Sequence, residues 1–474
     1  MTETLHVDVC VIGGGSAGLS VAAAASQLGA PTALVERGRM GGDCLNYGCV
    51  PSKALIAAAR AAEAVRQAGR FGIETSPPAV RFDRVMDHVR GVIGRIAPHD
   101  SADRFTALGV RVIAADARFV APDRLVAGEV EVVARRFVIA VGSSPAVPPV
   151  PGLDAMPFDT NETIFERRTA PAHLLVLGGG PIGVEMAQAH ALLGCQVTLV
   201  QARSILPRDD PEAVDIVRAR LRRDGVAVVE EAKVVRAERD GDGVALVAEV
   251  DGAERRFAGS HLLVAAGRRP NLDGLGLEAA GIAHDPKGIT VDRGLRTSNR
   301  RAYAIGDCAG GPQFTHVAGH HAGVAVRAIL FRLPARPDYR ALPWVTYTAP
   351  ELAQVGLTEA QAREQLGRIE VLRFPFAEND RARAERAEDG LVKAVVDSRG
   401  RFVGATVVGE AAGELAGLWA LAVGRRLRAK DLAGLMLPYP TRGEASARAA
   451  GAYFMPRLLS PRVRRLVRFL RRFG

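Results

Sequence analysis

The stretch that decides the fold is Val7 to Gly18, which reads VDVCVIGGGSAG. An apolar, β-branched run such as Val7–Ile12 is typical of a buried parallel strand. The glycines that follow form a GxGxxG motif, and an alanine-rich helical stretch then leads to a second strand that ends at Glu36. Strand, glycine turn, helix, strand and acid, in that order, predict a dinucleotide-binding α/β unit.

Each position of this first motif has an expected role. Gly13 allows the tight turn, Gly15 lets the backbone approach a pyrophosphate, and Gly18 lets the helix pack on the strand. The N-terminus of the helix offers free N–H groups and the positive end of a dipole to the phosphates. Glu36, eighteen residues past Gly18, is placed to accept hydrogen bonds from a ribose diol.

The same pattern recurs in the middle of the chain. A predicted strand at Leu174–Leu177 leads into a second glycine turn, and the following strand ends at Gln201. The motif positions of this second turn are Gly178, Gly180 and Gly183. Two dinucleotide-binding units in one chain predict two bound dinucleotides and an electron relay between them.

The second unit has an amide, Gln201, where the first has the carboxylate of Glu36. A carboxylate at this position binds a ribose 2′-hydroxyl and repels a 2′-phosphate, whereas a nearby arginine pairs with the phosphate. Arg203 lies two residues past Gln201 and fits that role, but it fits a solvated surface position equally well. NADH and NADPH therefore both stay open as the coenzyme.

Residues 41–53 read GGDCLNYGCVPSK and contain the second decisive feature, a cysteine pair. Cys44 and Cys49 are five residues apart and precede a helix predicted from about Ser52. A thiol near a helix N-terminus is favoured as the thiolate, the nucleophilic and electron-donating form. The pair is therefore predicted to be redox-active. The chain has five cysteines in all, and such an odd, sparse set does not form a structural disulfide framework.

Length and composition limit the alternatives. A chain of 474 residues, 48% hydrophobic and 24% charged, is expected to fold into about three soluble units. It has no run of eighteen apolar residues and no basic stretch before its strand-like start, so we expect a cytoplasmic protein. The net charge of +10 is spread along the chain without a nucleic-acid-binding motif, so no nucleic-acid partner is expected.

Residues 41–53 resemble the signature of the class I pyridine nucleotide–disulfide oxidoreductases, the family of dihydrolipoamide dehydrogenase, glutathione reductase and mercuric reductase. The resemblance covers essentially the whole chain. Residues 140–143 are similar to the segment that leaves the flavin domain, and 266–271 to the segment that re-enters it. Residues 303–307 resemble the second flavin motif, and 314–318 continue it.

This resemblance implies an α/β fold with two Rossmann-like dinucleotide-binding domains and a C-terminal α+β dimerisation domain. The FAD-binding domain would comprise 1–150 and 268–335, the NAD(P)-binding domain 151–267 and the dimerisation domain 340–460. FAD and NADH or NADPH would be the cofactors of a homodimer, and no resident metal is implied. Further cofactor-binding positions would be Ala117, Gly142, Gly267, Asp307 and Ala318, with Asp307 on the ribitol of FAD and the backbone of Ala117 on its adenosine.

The resemblance also implies a mechanism. Cys49 would lie against the flavin, and Cys44 would exchange with the substrate. Lys53 would lie near flavin N5, with Glu185 as its ion-pair partner. The implied activity is NAD(P)H-dependent reduction of a small-molecule or small-thiol acceptor, which would be a disulfide, a metal ion or another small molecule.

One position departs from the family pattern. Dihydrolipoamide dehydrogenase and glutathione reductase carry a His-Pro-x-x-x-Glu segment whose histidine moves protons to and from the exchange thiol, and the matching residues 439–444 read YPTRGE. Tyr439 takes the place of the histidine and Glu444 that of the glutamate. A phenol is a poor base at neutral pH. Mercuric reductase has a tyrosine here but also a C-terminal cysteine pair, and this chain has no cysteine after Cys308.

We therefore place the chain in a mercuric-reductase-like subgroup with an unassigned acceptor. Two alternatives stay open. In one, the flavin itself reduces a quinone or dye and the cysteines only tune it. In the other, the protein is a non-catalytic flavin redox sensor.

The C-terminal segment 461–474 predicts a basic amphipathic helix. Its apolar residues recur at the spacing of one helix face, and they are Val463, Leu466, Val467, Leu470 and Phe473. Six arginines cover the rest. Such a helix can lie on an anionic membrane surface, or it can pack on the dimer with its arginines in solvent.

Overall fold

The computed structural model describes residues 3–473. Within it the chain divides into two compact units. The first comprises the residues up to Gly178 together with 192–196 and 234–337, and the second comprises 179–191, 197–233 and the residues from Asp338 onward. Among residues 3–473, no helix is both long enough and apolar enough to cross a membrane.

The regular elements are numbered in chain order. The helices are α1 (Ser16–Gln27), α2 (Gly42–Asn46), α3 (Cys49–Gln67), α4 (Phe82–Ile96), α5 (Ala102–Ala107), α6 (Pro181–Leu192), α7 (Pro211–Arg223), α8 (Thr315–Leu330), α9 (Glu359–Leu366), α10 (Asp380–Ala384), α11 (Ala412–Gly424), α12 (Ala429–Ala433), α13 (Glu444–Ala452), α14 (Met455–Leu458) and α15 (Pro461–Leu470). The strands are β1 (Glu3–Ile12), β2 (Thr32–Glu36), β3 (Val110–Ala114), β4 (Ala117–Ala121), β5 (Arg124–Ala127), β6 (Val130–Ile139), β7 (Ser143–Pro145), β8 (His173–Leu177), β9 (Gln196–Val200), β10 (Val226–Val229), β11 (Lys233–Asp240), β12 (Gly243–Val250), β13 (Ala253–Gly259), β14 (His261–Val264), β15 (Arg268–Pro270), β16 (His284–Asp285), β17 (Gly288–Ile289), β18 (Ala302–Ala304), β19 (Pro343–Thr346), β20 (Glu351–Gly356), β21 (Ile369–Pro375), β22 (Leu391–Asp397) and β23 (Phe402–Gly409).

The first unit is built on a seven-stranded sheet in the order β3-β2-β1-β6-β5-β4, with β18 beside β6. β1 pairs in parallel with both β2 and β6, as its continuous apolar sequence predicts. Its side chains alternate between two buried faces. Val9 and Val11 pack in one core with residues of α1 and α8, while Cys10 and Ile12 pack in a second core with residues of β4 and β5. Because both faces are covered, the first glycine turn is held rigidly at the carboxyl end of β1.

Part of the second nucleotide-binding motif lies in each unit. In the first unit, β8 pairs in parallel with β14, and β11, β12 and β13 form a three-stranded sheet. In the second unit, β9 pairs in parallel with β10. The domain boundaries expected from the resemblance stay a prediction.

The second unit also contains a five-stranded antiparallel sheet in the order β19-β20-β23-β22-β21. The fully buried Trp419 of α11 packs edge-on against Phe402 of β23, with ring centroids 5.2 Å apart. Ala445 and Ala449 of α13 are also buried in this core. Small residues on α13 let it approach the sheet closely, and its first residue is Glu444.

Two helices differ from expectation at their ends. The helix expected from about Ser52 begins earlier, at Cys49, because Pro51 falls within the first turn, where its missing N–H leaves no helical hydrogen bond unmade. The C-terminal helix ends at Leu470, and the residues 471–473 lie beyond it. The exposed last turn of a helix frays easily. The last residue of the expected helix, Gly474, lies outside the described residues.

Candidate functional site

The first glycine turn leaves no space for a side chain at Gly13 or Gly18. Gly13 adopts a φ of +105°, and a Cβ added there would lie 2.4 Å from the carbonyl oxygen of Ala140. A Cβ on Gly18 would lie 1.9 Å from the carbonyl oxygen of Gly13. Gly15 is the N-cap of α1, and no side chain caps this helix. The N–H groups of its first turn are thus free of side-chain acceptors, as phosphate binding requires.

Glu36 is held by the turn that it faces. Its two carboxylate oxygens accept hydrogen bonds from the backbone N–H groups of Gly14 and Gly38. Ala117 begins β4, only two residues after Ala115, whose N–H donates to the carbonyl oxygen of Glu36. Glu36 and Ala117 therefore lie close to each other, as joint contacts with one adenosine would require.

The second turn repeats this construction. A Cβ on Gly178, whose φ is +116°, would lie 2.4 Å from the carbonyl oxygen of Ala265, the same distance as at Gly13. In the second unit, the side-chain oxygen of Gln201 accepts a hydrogen bond from the N–H of Gly179 at 2.9 Å. The amide therefore keeps the structural role that Glu36 has in the first turn, without its charge. Arg203 is exposed.

Cys44 lies in the short helix α2, and Cys49 is the first residue of α3. Both thiols are free, and their side chains are hydrogen-bonded to each other. The Cys49 Sγ also lies 3.5 Å from the hydroxyl of Thr315. The hydrogen bond from Cys44, followed by the Thr315 hydroxyl and the charge of Lys53, lowers the pKa of Cys49 to about 6. The same hydrogen bond, together with burial, raises the pKa of Cys44.

The two thiols therefore differ in acidity: Cys49 loses its proton first, and Cys44 keeps its own and donates it in the hydrogen bond to Cys49. Near neutral pH, Cys49 is the thiolate and Cys44 keeps its proton. The three other cysteines are buried, and burial raises the pKa of each thiol well above its ordinary value; they are Cys10, Cys195 and Cys308. Among the cysteines of this chain, only the 44/49 pair combines accessibility with an ionised thiol.

A polar network, which sequence reasoning missed, fixes the loop that carries the cysteines. The guanidinium of Arg268 lies 3.1 Å from the Asp43 carboxylate. The Asn161 amide donates to the same carboxylate at 3.0 Å and to the carbonyl oxygen of Tyr47 at 3.1 Å. Arg268 belongs to the segment 266–271 that resembles the family, but nothing in the sequence links it to Asp43, 225 residues earlier.

Asp307 lies in the second flavin motif and is largely buried. Burial raises the pKa of its carboxyl group, which accepts a hydrogen bond from the Ser143 hydroxyl at 2.6 Å. Arg268 in turn donates to Ser143 at 2.8 Å. Asp307 and the cysteine loop are thus linked through the Arg268 side chain.

Three further expected cofactor-binding positions belong to the first unit: Gly142, Gly267 and Ala318. Gly142 accepts a backbone hydrogen bond from Asn271, and Gly267 accepts one from Ala146. A Cβ on Gly306, next to Asp307, would lie 3.6 Å from the side chain of Ala318. The first unit therefore brings the turn, Glu36, Asp307 and the cysteine pair together on one scaffold.

These residues fit FAD, because an uncapped helix N-terminus, glycines that exclude side chains and a buried, oriented carboxylate meet the needs of pyrophosphate and ribitol. FAD supplies two-electron transfer between a nicotinamide and a disulfide. Within residues 3–473, no group of three or more histidine, cysteine or acidic side chains is arranged to hold a metal ion.

The position of Tyr439 does not favour a role as general base, because nothing in the described part of the chain lowers the pKa of its phenol. Its ring is 70% exposed, and its hydroxyl donates to Asp380 at 3.0 Å. That hydrogen bond raises the pKa of Tyr439 above its ordinary value. Glu444, the first residue of α13, is 3.7 Å from Arg448. Sequence reasoning missed Asp380 as the hydroxyl's partner, and no motif marks it.

Glu185 is buried on α6, where its carboxylate accepts a hydrogen bond from the N–H of Tyr347 at 2.9 Å. Lys53 lies on α3, one turn past Cys49, and its charge favours the Cys49 thiolate. The expected ion pair between Lys53 and Glu185 stays a prediction.

Fold and site together define a two-dinucleotide flavoprotein with a redox-active cysteine pair. Comparison with known proteins agrees, because residues 7–322 match the family model described as pyridine nucleotide-disulphide oxidoreductase, and residues 342–450 match its dimerisation domain. The chain belongs to the pyridine nucleotide-disulphide oxidoreductase family. It is an NAD(P)H-dependent flavoprotein disulfide oxidoreductase with FAD as its cofactor, and the dimerisation domain makes it a homodimer.

Several characterised proteins are similar over nearly their full length. The mercuric reductase of Streptomyces lividans is 36% identical over 94% of this chain and 96% of its own. The dihydrolipoyl dehydrogenase of Geobacillus stearothermophilus is 35% identical over 95% of both chains. The Cu(II) complex of the HOCl-induced flavoprotein disulfide reductase RclA from Escherichia coli superposes with a TM-score of 0.84 at 28% identity, covering 94% of this chain and all of that one.

Proposed function

We propose that this enzyme passes two electrons from NAD(P)H, by way of FAD and the Cys44–Cys49 pair, to a soft divalent metal ion that binds thiolates, with Hg(II) as the best example. The observation that carries the proposal is Tyr439. Its hydroxyl is bonded to Asp380, and its pKa is raised. It is therefore a poor proton acceptor at neutral pH.

Proton transfer separates the candidate acceptors. Thiol–disulfide exchange at Cys44 requires a base to take its proton and return it to the leaving thiol. The raised pKa of Cys44 makes this requirement more severe. A soft metal ion instead displaces the thiol proton directly, because thiolates bind such ions strongly and release protons as they do so. A metal acceptor therefore needs no base at position 439.

The balance of the proposed reaction is simple. Cys49, already a thiolate, and Cys44, which loses its proton to water, both bind the metal ion. Two electrons from NAD(P)H then convert Hg(II) to the metal, and Cys44 takes a proton back from water as the metal leaves. The other net products are NAD(P)⁺ and one proton. The relatives named as mercuric reductases and the related structure with Cu(II) support an acceptor of this class.

The test is an anaerobic acceptor screen with the FAD-loaded dimer. NADH or NADPH oxidation is followed with thiol-bound Hg(II), lipoamide, glutathione disulfide and a quinone. We expect Hg(II) to give the highest kcat/KM, and Cys44→Ser to abolish that turnover. Cys195→Ser, a change at a buried thiol away from the pair, is the matched control and should leave turnover within about twofold.

The other outcomes distinguish the alternatives. Lipoamide or glutathione disulfide turnover faster than that with Hg(II) would contradict the proposal. Quinone turnover that survives Cys44→Ser would assign a flavin-centred reductase, and no oxidation of NAD(P)H by any acceptor would assign a redox sensor. Tyr439→His should raise disulfide turnover by at least about tenfold, since general acid–base help is worth roughly 10²–10⁴ in rate.

We also propose that α15 contacts an anionic membrane surface. None of its residues is buried, and Leu466, Val467, Phe469 and Leu470 are each about half exposed or more. Arginines occupy positions 462, 464, 465 and 468 of the same helix. An exposed apolar face with arginines beside it is complementary to anionic lipid.

Vesicle flotation tests this second proposal. The full chain should bind vesicles that contain phosphatidylglycerol and not those of phosphatidylcholine alone, and deletion of residues 461–474 should remove the binding. Leu466→Ser with Phe469→Ser should weaken it without changing charge. Equal binding with and without the segment would contradict the proposal, and dissociation of the dimer on deletion would show that α15 packs on the partner instead.

A further inference from the structure

A surface cleft of about 960 Å³ lies in the first unit. It is bounded by the carboxyl end of α8, the segment that follows it and the turn before β18. Five arginines and a single acidic residue line it: Arg136, Arg293, Arg296, Arg332, Arg336 and Asp292. The lining therefore has a net charge of +4.

The single acid does not neutralise these arginines. One carboxylate oxygen of Asp292 accepts hydrogen bonds from the backbone N–H groups of Gly294 and Arg296, at 2.8 and 3.0 Å, and so shapes its own turn. Arg296 stacks over the ring of Tyr303, 5.6 Å from its centroid, and donates to its hydroxyl. Arg136 donates to the backbone carbonyl of Arg135.

In the part of the chain that the structure describes, none of the five lining guanidinium groups forms an ion pair with a carboxylate. Arginines elsewhere on the surface do so, for example Arg340 with Asp338 and Arg401 with Asp397. The lining of the cleft therefore differs from these other parts of the arginine-rich surface in that its arginines lack carboxylate partners within residues 3–473. Holding unpaired like charges together is costly, and an anionic ligand would remove that cost.

We propose that this cleft binds a small polyphosphorylated anion. Arginine presents donors in a planar fork that matches phosphate oxygens, so a group of five favours several phosphates over one. The volume is within the range of small-ligand sites, roughly 300–1,000 Å³. The carboxyl end of α8 carries about half a negative charge, which opposes an anion but is small against +4.

The cleft is distinct from the redox centre. α8 has sixteen residues; it begins at Thr315, beside Cys49, and ends at Leu330. At about 1.5 Å per residue, its two ends are about 24 Å apart. A ligand at the carboxyl end is therefore not the electron acceptor, and its role would be regulation or anchoring of the enzyme.

The proposal is tested by calorimetric titration of inorganic tripolyphosphate into the FAD-loaded dimer, with saturating NAD⁺ to occupy the second nucleotide site. We expect one site per chain and tighter binding of tripolyphosphate than of orthophosphate. The triple variant Arg293→Gln, Arg332→Gln, Arg336→Gln should weaken binding at least tenfold. The matched control removes three exposed arginines outside the cleft, Arg239→Gln, Arg368→Gln and Arg425→Gln, and should change the Kd by less than about twofold.

FAD content and thermal unfolding show whether each variant is folded, and the single variant Arg336→Gln, at an exposed position, repeats the test with one charge removed. The proposal is overturned by the absence of binding at millimolar tripolyphosphate, or by equal weakening in the cleft and control variants. It is also overturned if single-stranded RNA of equal phosphate concentration binds more tightly, because the site would then belong to a nucleic acid.

Discussion

The charge of Cys49 depends on three neighbours that act in the same direction. Cys44 and Thr315 donate hydrogen bonds to its sulfur, and Lys53 adds a positive charge. The folded pKa of about 6 is below the unfolded value of about 8.5. The Cys49 thiolate therefore adds to the stability of the fold as pH rises above about 6, and this contribution is lost as pH falls through about 6. The raised pKa of Cys44 acts in the opposite direction at higher pH.

Thr315→Val should raise the pKa of Cys49, because valine keeps the shape of threonine and removes the donor. Iodoacetamide alkylation of the reduced enzyme, measured against pH, should then show its midpoint well above 6, and Ser20→Ala on α1 should leave the midpoint unchanged. A midpoint that does not move in Thr315→Val would mean that the hydroxyl does not stabilise the thiolate.

Gln201 and Arg203 are the two residues that we propose to decide between NADH and NADPH. Gln201→Glu keeps the acceptor for the Gly179 N–H and adds a charge that repels a 2′-phosphate, so the ratio of kcat/KM for NADPH to that for NADH should fall. If Arg203 binds the 2′-phosphate, Arg203→Ser should lower kcat/KM for NADPH about tenfold, since a hydrogen bond to a charged group contributes roughly 1.5–3 kcal/mol. If Arg203→Ser changes kcat/KM equally for NADPH and NADH, Arg203 is a solvated surface residue that does not bind the 2′-phosphate.

At the scale of elements, both glycine turns could be predicted from the sequence because their requirements are local. Gly13 and Gly178 show why, since each has a carbonyl oxygen 2.4 Å from where a Cβ would lie. The contacts of Arg268 with Asp43 and of Tyr439 with Asp380 could not be predicted. They join distant parts of the chain, and only tertiary packing decides such partners.

One buried ion cluster joins elements of the second unit. Lys393 of β22 is 5% exposed and lies within 3.0 Å of carboxylates on Asp210, Glu212 and Glu359. Lys393→Met leaves Asp210 buried and unpaired, which should lower the free energy of unfolding by about 3–5 kcal/mol. Arg373, which pairs with Glu212 and Glu359 from an exposed position, is the control, and Arg373→Met should cost about 0–1 kcal/mol.

Tryptophan fluorescence during urea unfolding can measure this difference. The chain has two tryptophans, Trp344 and Trp419, and both lie in the second unit, so the signal reports on that unit. Equal losses in the two variants would contradict a special role for the buried lysine.

At the scale of the whole molecule, we expect the redox chemistry to be independent of the C-terminal segment 461–474. α15 buries no residue, so deletion of residues 461–474 should leave FAD content, the dimer and kcat/KM with the best acceptor within about twofold. Size-exclusion chromatography with light scattering and steady-state kinetics would check this. A monomeric product would show that α15 helps to hold the two protomers together.

The central claim is that electrons pass through the cysteine pair with Cys49 as the thiolate next to the flavin. Anaerobic reduction with NADH or NADPH, followed by absorbance, tests it most directly. We expect a long-wavelength thiolate-to-flavin band in the wild type that is kept in Cys44→Ser and lost in Cys49→Ser. A wild-type enzyme without the band, or a Cys49→Ser variant that retains it, would contradict the account.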